Sequence, residues 1–223
     1  MSKLFTHRME CLPPAQRQLW PHLKPAAPLG YVLYGGTAIA LRLGHRVSVD
    51  FDFFSNHGLD IKALHAAMPF LEASTVLQQQ PDGLTVLAQP AGGESPVKLS
   101  FFCEIDFGRV GEPQLTEDKV LRVASLDDLL ATKLKVILQR VESKDYKDVA
   151  ALIAAGVSLG RGLASAKALF GPAFQASESL KALVYFKGGD LQTLSDKEKS
   201  ILVESVTRIE TLPMVEKVSS RLI

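Results

Sequence analysis

Tyr31-Val32-Leu33-Tyr34-Gly35-Gly36-Thr37-Ala38-Ile39-Ala40-Leu41-Arg42-Leu43-Gly44 opens the stretch that decides the fold, and Val47-Ser48-Val49-Asp50-Phe51-Asp52-Phe53-Phe54 closes it. Residues 31–34 are β-prone, the glycine pair ends them, and residues 37–44 predict a short helix with Thr37 at its start. Residues 47–54 then alternate: Val47, Val49, Phe51 and Phe53 on one face, Ser48, Asp50, Asp52 and Phe54 on the other. The order is strand, glycine turn, helix, acidic strand.

Upstream, Pro13, Pro14, Trp20 and Pro21 break residues 9–23 into a short helical extension, and residues 25–28 read as a loop. Downstream, residues 59–70 predict a helix. Residues 74–77, 84–88 and 97–106 predict strands, separated by Pro81-Asp82-Gly83 and Pro90-Ala91-Gly92-Gly93. After a junction near residues 116–123 the character changes. Residues 125–155 are almost wholly helix-forming, with Ser125 and Asp128 close to a capping box, and further helices are expected near 163–170, 177–186 and 196–210, the last capped by Ser195. The predicted fold class is α/β (α+β): a mixed β-sheet lobe with helices over residues 1–120, then a mostly helical lobe over residues 121–223.

The 223 residues are 47 % hydrophobic and 22 % charged, which excludes fibrous and low-complexity classes and provides for a real core. Twenty-five basic and twenty-four acidic residues leave a net charge of +1, so nucleic-acid binding would need a local patch. Two cysteines, Cys11 and Cys103, are too few for a disulfide framework or a zinc site. With no apolar run long enough to span a bilayer, the expectation is a soluble cytoplasmic protein without a membrane partner.

Residues two apart on a strand project from the same side about 6.6 Å apart, so Asp50 and Asp52 present two carboxylates from one surface. Such a pair suits a hard cation, leaving its other positions to water and phosphate. The alternative is an edge strand whose carboxylates discourage aggregation. A glycine turn entering a helix, as at Gly35-Gly36-Thr37, offers backbone N–H groups to an anion, although double glycines also mark ordinary turns.

A glycine-pair turn followed by Asp-x-Asp resembles the polymerase-beta-like nucleotidyltransferase superfamily, and residues 35–54 look more specifically like the AbiEii/AbiGii toxin family. Its second motif resembles Lys133, Val136, Arg140, Lys144, Asp145 and Asp148, with valine for a small residue and lysine for an arginine. Read as one continuous helix, Lys133, Arg140 and Lys144 form one stripe beside an apolar face of Leu130, Leu134, Leu138, Val141 and Leu152. Asp145 would then lie among apolar groups and need a compensating partner. The other possibility is a break near Glu142-Ser143, with Ser143 or Asp145 capping a new helix. Residues 156–223 carry no recognised signature.

The resemblance implies Mg²⁺ (or Mn²⁺) on Asp50 and Asp52, and NTP as substrate, with phosphate held by Gly35, Gly36, Thr37, Ser48 and Arg46. It implies catalytic roles for Lys133 and Arg140 against the triphosphate, with Lys144 nearby and Asp145 and Asp148 orienting the cations, and a cleft between the two motifs. The implied activity is transfer of a nucleoside monophosphate to an acceptor hydroxyl, with an RNA or tRNA acceptor, by the toxin of a toxin–antitoxin or abortive-infection pair that has a cognate antitoxin. Where the superfamily commonly places a third carboxylate, Val97-Lys98-Leu99 leads to Ser100; Glu104 and Asp106 share its parity and are candidate substitutes. Two alternatives stand beside the enzyme: a nucleotide-binding member without turnover, and a protein-interaction domain.

Overall fold

The computed structural model describes residues 3–90 and 95–223. The turn expected at residues 90–93 falls mainly on residues 91–94, outside the described residues. Grouped by their contacts, the residues form two units: residues 1–106, 112–124 and 221–223 make the first, and residues 107–111 and 125–220 the second.

In the first unit, eight strands form one sheet among the described residues: β1 (Leu4–Phe5), β2 (Val32–Tyr34), β3 (Asp50–Phe54), β4 (Thr75–Gln80), β5 (Gly83–Ala88), β6 (Val97–Phe102), β7 (Gln114–Thr116) and β8 (Arg122–Val123). The spatial order is β1-β7-β8-β2-β3-β6-β5-β4, with β3 antiparallel to β2 and parallel to β6. The N-terminal extension thus begins with a strand, followed by a 3₁₀ turn, α1 (Pro14–Leu19) and a second 3₁₀ segment that runs through Pro25 to Ala26. Residues 116–123, where the junction is expected, contribute to β7 and β8, which pair within the sheet, and the second unit resumes at Ser125.

Phe51, Phe53, Leu99 and Phe101 are buried on one sheet face, and α2 (Gly35–Leu43) packs on β3 with Ala38 to Leu41 buried. Trp20 belongs to this core, its indole N–H donating to Asp118 at 2.7 Å. Arg42 bolts α2 to the neighbouring strands by donating to the carbonyls of Val123 and Ala124 and to Gln114; its burial lowers its pKa to about 10. α3 (Ile61–Ala67) is capped by Asp60, and a 3₁₀ turn completes the predicted helix. β4 lies at the sheet's far edge with all six residues exposed.

Three boundaries around the acidic strand and its neighbours differ from the sequence reading in ways that bear on the site. Helix α2 starts at Gly35 itself, so Thr37 lies in its first turn and is no cap. The acidic strand starts at Asp50, leaving Val47 and Val49 exposed and Ser48 buried, because residues 45–49 return from the helix as irregular chain whose Ser48 N–H bonds to the Cys11 carbonyl. β6 stops at Phe102; Glu104 adopts left-handed backbone (φ +57°) with its N–H on the His57 carbonyl, which ends the alternation.

The second unit is helical: α4 (Leu126–Val136), α5 (Ser143–Ala154), α6 (Leu159–Phe170), α7 (Ala176–Val184) and α8 (Asp196–Thr207). Ser125 caps α4, while the Asp128 carboxylate accepts from the Val110 and Gly111 N–H groups and from the Ser125 hydroxyl. Gly162 lets α6 press on α4, since a Cβ there would collide with Leu130. Ser195 and Glu198 complete a capping box on α8. Of the two readings of residues 125–155, the structure realises the break, which falls between Val136 and Ser143; the stripe expected of one continuous helix does not form, and Leu138 is half-buried and Val141 exposed.

Candidate active site

The period of the strand delivers the predicted carboxylate pair. Asp50 and Asp52 are half-buried on the face opposite Phe51 and Phe53. The antiparallel register sets Tyr34, the residue before the glycine turn, opposite Asp52. Gly35 needs its glycine twice over: its φ is +71°, and a Cβ would run into the Asp52 carboxylate. A Cβ on Gly36 would strike the Arg46 guanidinium, with the Ser48 hydroxyl 3.2 Å away. Gly35 with Asp52, and Gly36 with Arg46 and Ser48, therefore come together at the start of α2. Thr37 is placed differently. It is buried, its hydroxyl donates to the Asp50 carbonyl and shares a 2.8 Å hydrogen bond with Ser48, so it fixes the strand entry instead of facing a phosphate.

On the adjacent parallel strand, Lys98 pairs in register with Asp50 and Ser100 with Asp52. Ser100 thus stands beside Asp52, and it is buried. Glu104 and Asp106 do not replace a third carboxylate there, because they lie beyond the end of β6, with Glu104 turned toward Gly58. Lys98 was missed from sequence: its Nζ lies 3.6 Å from the Asp50 carboxylate, and its parity with Ser100 was the available signal. Among the described residues no group of three or more His, Cys, Asp or Glu side chains is gathered for a metal ion. Two half-buried carboxylates on one face are nonetheless oxygen donors of the kind Mg²⁺ or Mn²⁺ takes while retaining water and substrate oxygens.

The second motif assembles within the helical unit. Lys133 on α4 is buried and donates to Asp145 at 2.6 Å, with Asp148 at 2.7 Å, both on α5. Arg140, in the break between the helices, meets Asp145 side-on through Nε at 2.8 Å and Nη2 at 3.1 Å. Burial alone would raise the Asp145 pKa, but the Arg140 hydrogen bonds and the Lys133 ammonium outweigh it and hold it below the ordinary carboxylate range. Both sequence alternatives are thus realised in part, since the helix breaks and Asp145 has its compensating cations. Neither Ser143 nor Asp145 caps α5; Glu142 is its N-cap residue, and the Ser143 N–H and hydroxyl donate to Asp190 at 2.6 and 2.7 Å. Lys144 is exposed and pairs with Glu142 at 2.7 Å, and the other Glu142 oxygen lies 3.6 Å from Arg140 Nε, so Lys144 meets the Asp145 cluster only at its exposed rim, through Glu142.

With both motifs in place, the family model described as "Nucleotidyl transferase AbiEii toxin, Type IV TA system" matches residues 23–209. The chain belongs to this family. Its coverage runs well past Leu152, where the recognisable residue signatures end. An uncharacterized protein of Aquifex aeolicus (strain VF5) is 31 % identical over 121 residues, 53 % of this chain and 55 % of the relative, so the match spans about half of each. Two solved structures share the fold. One is an H. pylori protein assigned as a nucleotidyltransferase (TM-score 0.56, 18 % identity, 86 % of this chain and 91 % of that one). The other is MenT4, a nucleotidyltransferase toxin of Mycobacterium tuberculosis H37Rv (TM-score 0.58, 12 % identity, 86 % and 82 %). This AbiEii-family chain therefore has the polymerase-beta-like nucleotidyltransferase fold. Among the described residues no helix is long and apolar enough to cross a membrane.

Proposed function

We propose that the protein transfers a nucleoside monophosphate from an NTP to an acceptor hydroxyl, acting as the toxin of a pair with a cognate antitoxin. The observation that carries this reading is the glycine turn packed so closely on Asp52, Arg46 and Ser48 that a single methyl group at Gly35 or Gly36 would fill it. The turn's N–H groups, Ser48 and Arg46 would receive phosphate oxygens, and Asp50 and Asp52 would hold Mg²⁺ or Mn²⁺. The ion, when bound, would supply charge neutralisation on the triphosphate and acidification of the acceptor hydroxyl. The hydroxyl oxygen forms a bond to the α-phosphorus and the bond to the bridging oxygen breaks, so pyrophosphate leaves with the electron pair. The hydroxyl proton goes to water, because Ser100 has no carboxylate with which to take it. Lys133, held by two aspartates, acts as a positioning residue for Asp145 and, through it, for Arg140.

Ser100 beside Asp52 favours a second reading, a member that binds nucleotide without turnover. Incubation with each labelled NTP, Mg²⁺ or Mn²⁺ and total RNA separates the two. Incorporation that disappears in Asp50→Asn/Asp52→Asn supports transfer. Mg²⁺–NTP thermal stabilisation without incorporation supports binding alone, and absence of both overturns the proposal in favour of an interaction domain.

A further inference from the structure

Arg140 stands in the irregular chain between α4 and α5, and its side chain is 46 % exposed, so its aim depends on what holds that chain. Its bonds to Asp145 tie it to α5, yet the start of α5 has no cap of its own. Glu142, the N-cap residue, makes no side-chain cap; its carboxylate turns instead to Lys144 at 2.7 Å and to Arg140 at 3.6 Å. The first N–H groups of a helix need acceptors, and here the acceptor comes from far along the chain. Asp190, in the turn after α7, takes the Ser143 N–H on one carboxylate oxygen at 2.6 Å and the Ser143 hydroxyl on the other at 2.7 Å. Those two bonds hold its pKa below the ordinary carboxylate range.

The same turn touches the break a second time. Gly189 lies so close to the Val141 carbonyl oxygen that a Cβ would collide with it, and its φ of +49° suits glycine. Leu191 and Leu194, both buried, root the turn in the helical unit. Residues 141 and 143 are thus both held from residues 189 and 190, between Arg140 on one side and Asp145 on the other. Asp190 is exposed, so its loss opens no cavity; what it fixes is the start of α5. We infer that Asp190 is a positioning residue for nucleotide: through Ser143 it fixes the first turn of α5 and so keeps Arg140 on Asp145, aimed at the triphosphate. This rests on the transfer reading above and gives a role in it to a residue of the stretch 156–223, which carries no recognised signature.

The test measures the Mg²⁺–NTP affinity of the full chain by calorimetry, with each of the four NTPs in turn, alongside the NMR signal of the Arg140 Nε–H group. Asp190→Ala is expected to weaken binding about fivefold, the factor that losing one helix cap is worth, and to speed solvent exchange of the Arg140 Nε–H. Asp190→Asn keeps both near wild type, because its amide still accepts from the Ser143 N–H and donates to the Ser143 hydroxyl oxygen. Ser143→Ala, which drops one bond of the two, falls between. In an Arg140→Ala background, Asp190→Ala costs nothing more. Wild-type affinity in Asp190→Ala, the same loss with Arg140 already removed, or an unchanged Nε–H signal overturns the inference. Failure of the transfer reading shows separately, as a wild type with neither Mg²⁺–NTP binding nor incorporation.

Discussion

The strand motif and the helix motif of this family hold their aspartates in opposite ways. Asp50 and Asp52 are half-buried, with the Lys98 ammonium 3.6 Å from Asp50. Asp145 and Asp148 are 0 % exposed and share Lys133 within 2.7 Å. Carboxylates of the first kind keep access to an incoming cation, whereas those of the second kind have already used their charge to secure the fold. Two motifs of one signature thus differ in kind: one leaves its carboxylates accessible, and the other fixes the junction of two helices.

The largest effect is expected where the charge is buried. Lys133→Met leaves two buried carboxylates without their ammonium and should cost about 3–5 kcal/mol in urea unfolding. Asp50→Asn/Asp52→Asn should stay within about 0.5 kcal/mol of wild type in the same assay. A Lys133→Met protein with the wild-type midpoint would erase the distinction.

Acid titration sharpens it. The depressed pKa of Asp145 contributes stability that is fully present above the unfolded carboxylate value and is lost as pH falls through the folded one. Asp145→Asn should therefore be destabilised at neutral pH, and its deficit should narrow below about pH 4. A deficit independent of pH would mean that the carboxylate's charge is not what stabilises.

Gly36→Ala should lower Mg²⁺–NTP affinity about tenfold by calorimetry while changing stability by less than about 1 kcal/mol, because its Cβ displaces the far end of Arg46 and not backbone. The smallest change belongs to Lys98→Met. Losing a partly exposed pair costs stability about 0.5 kcal/mol at most, and Mn²⁺ should bind more tightly once the competing ammonium is gone. Weaker Mn²⁺ binding in that variant would show Lys98 to be a helper of the site.

What the sequence made legible follows from local periodicity. Asp50 and Asp52 share a face because strands repeat every two residues, and the glycine turn announces itself. The same rule carried too far at both ends. Val47 and Val49 fit the alternation yet precede the strand, and Glu104 and Asp106 fit it yet lie past the strand's end, where Glu104 itself takes left-handed backbone. Lys98 beside Asp50 depends on the register of strands far apart in the chain, which no local pattern encodes. Asp145 was recognisable as needing a partner; that Lys133 would supply it follows from the break after Val136, which turns one helix into two.

At the outer margin of the sheet, Thr75–Gln80 has no charged residue and no proline, and every one of its side chains is exposed. Lysines, prolines and bulges ordinarily stop such a margin from adding another strand, and here only the irregularity between Val76 and Gln78 interrupts the register. Concentrated samples should consequently self-associate through this rim, and placing lysine at Val76 and Leu77 should keep them monodisperse.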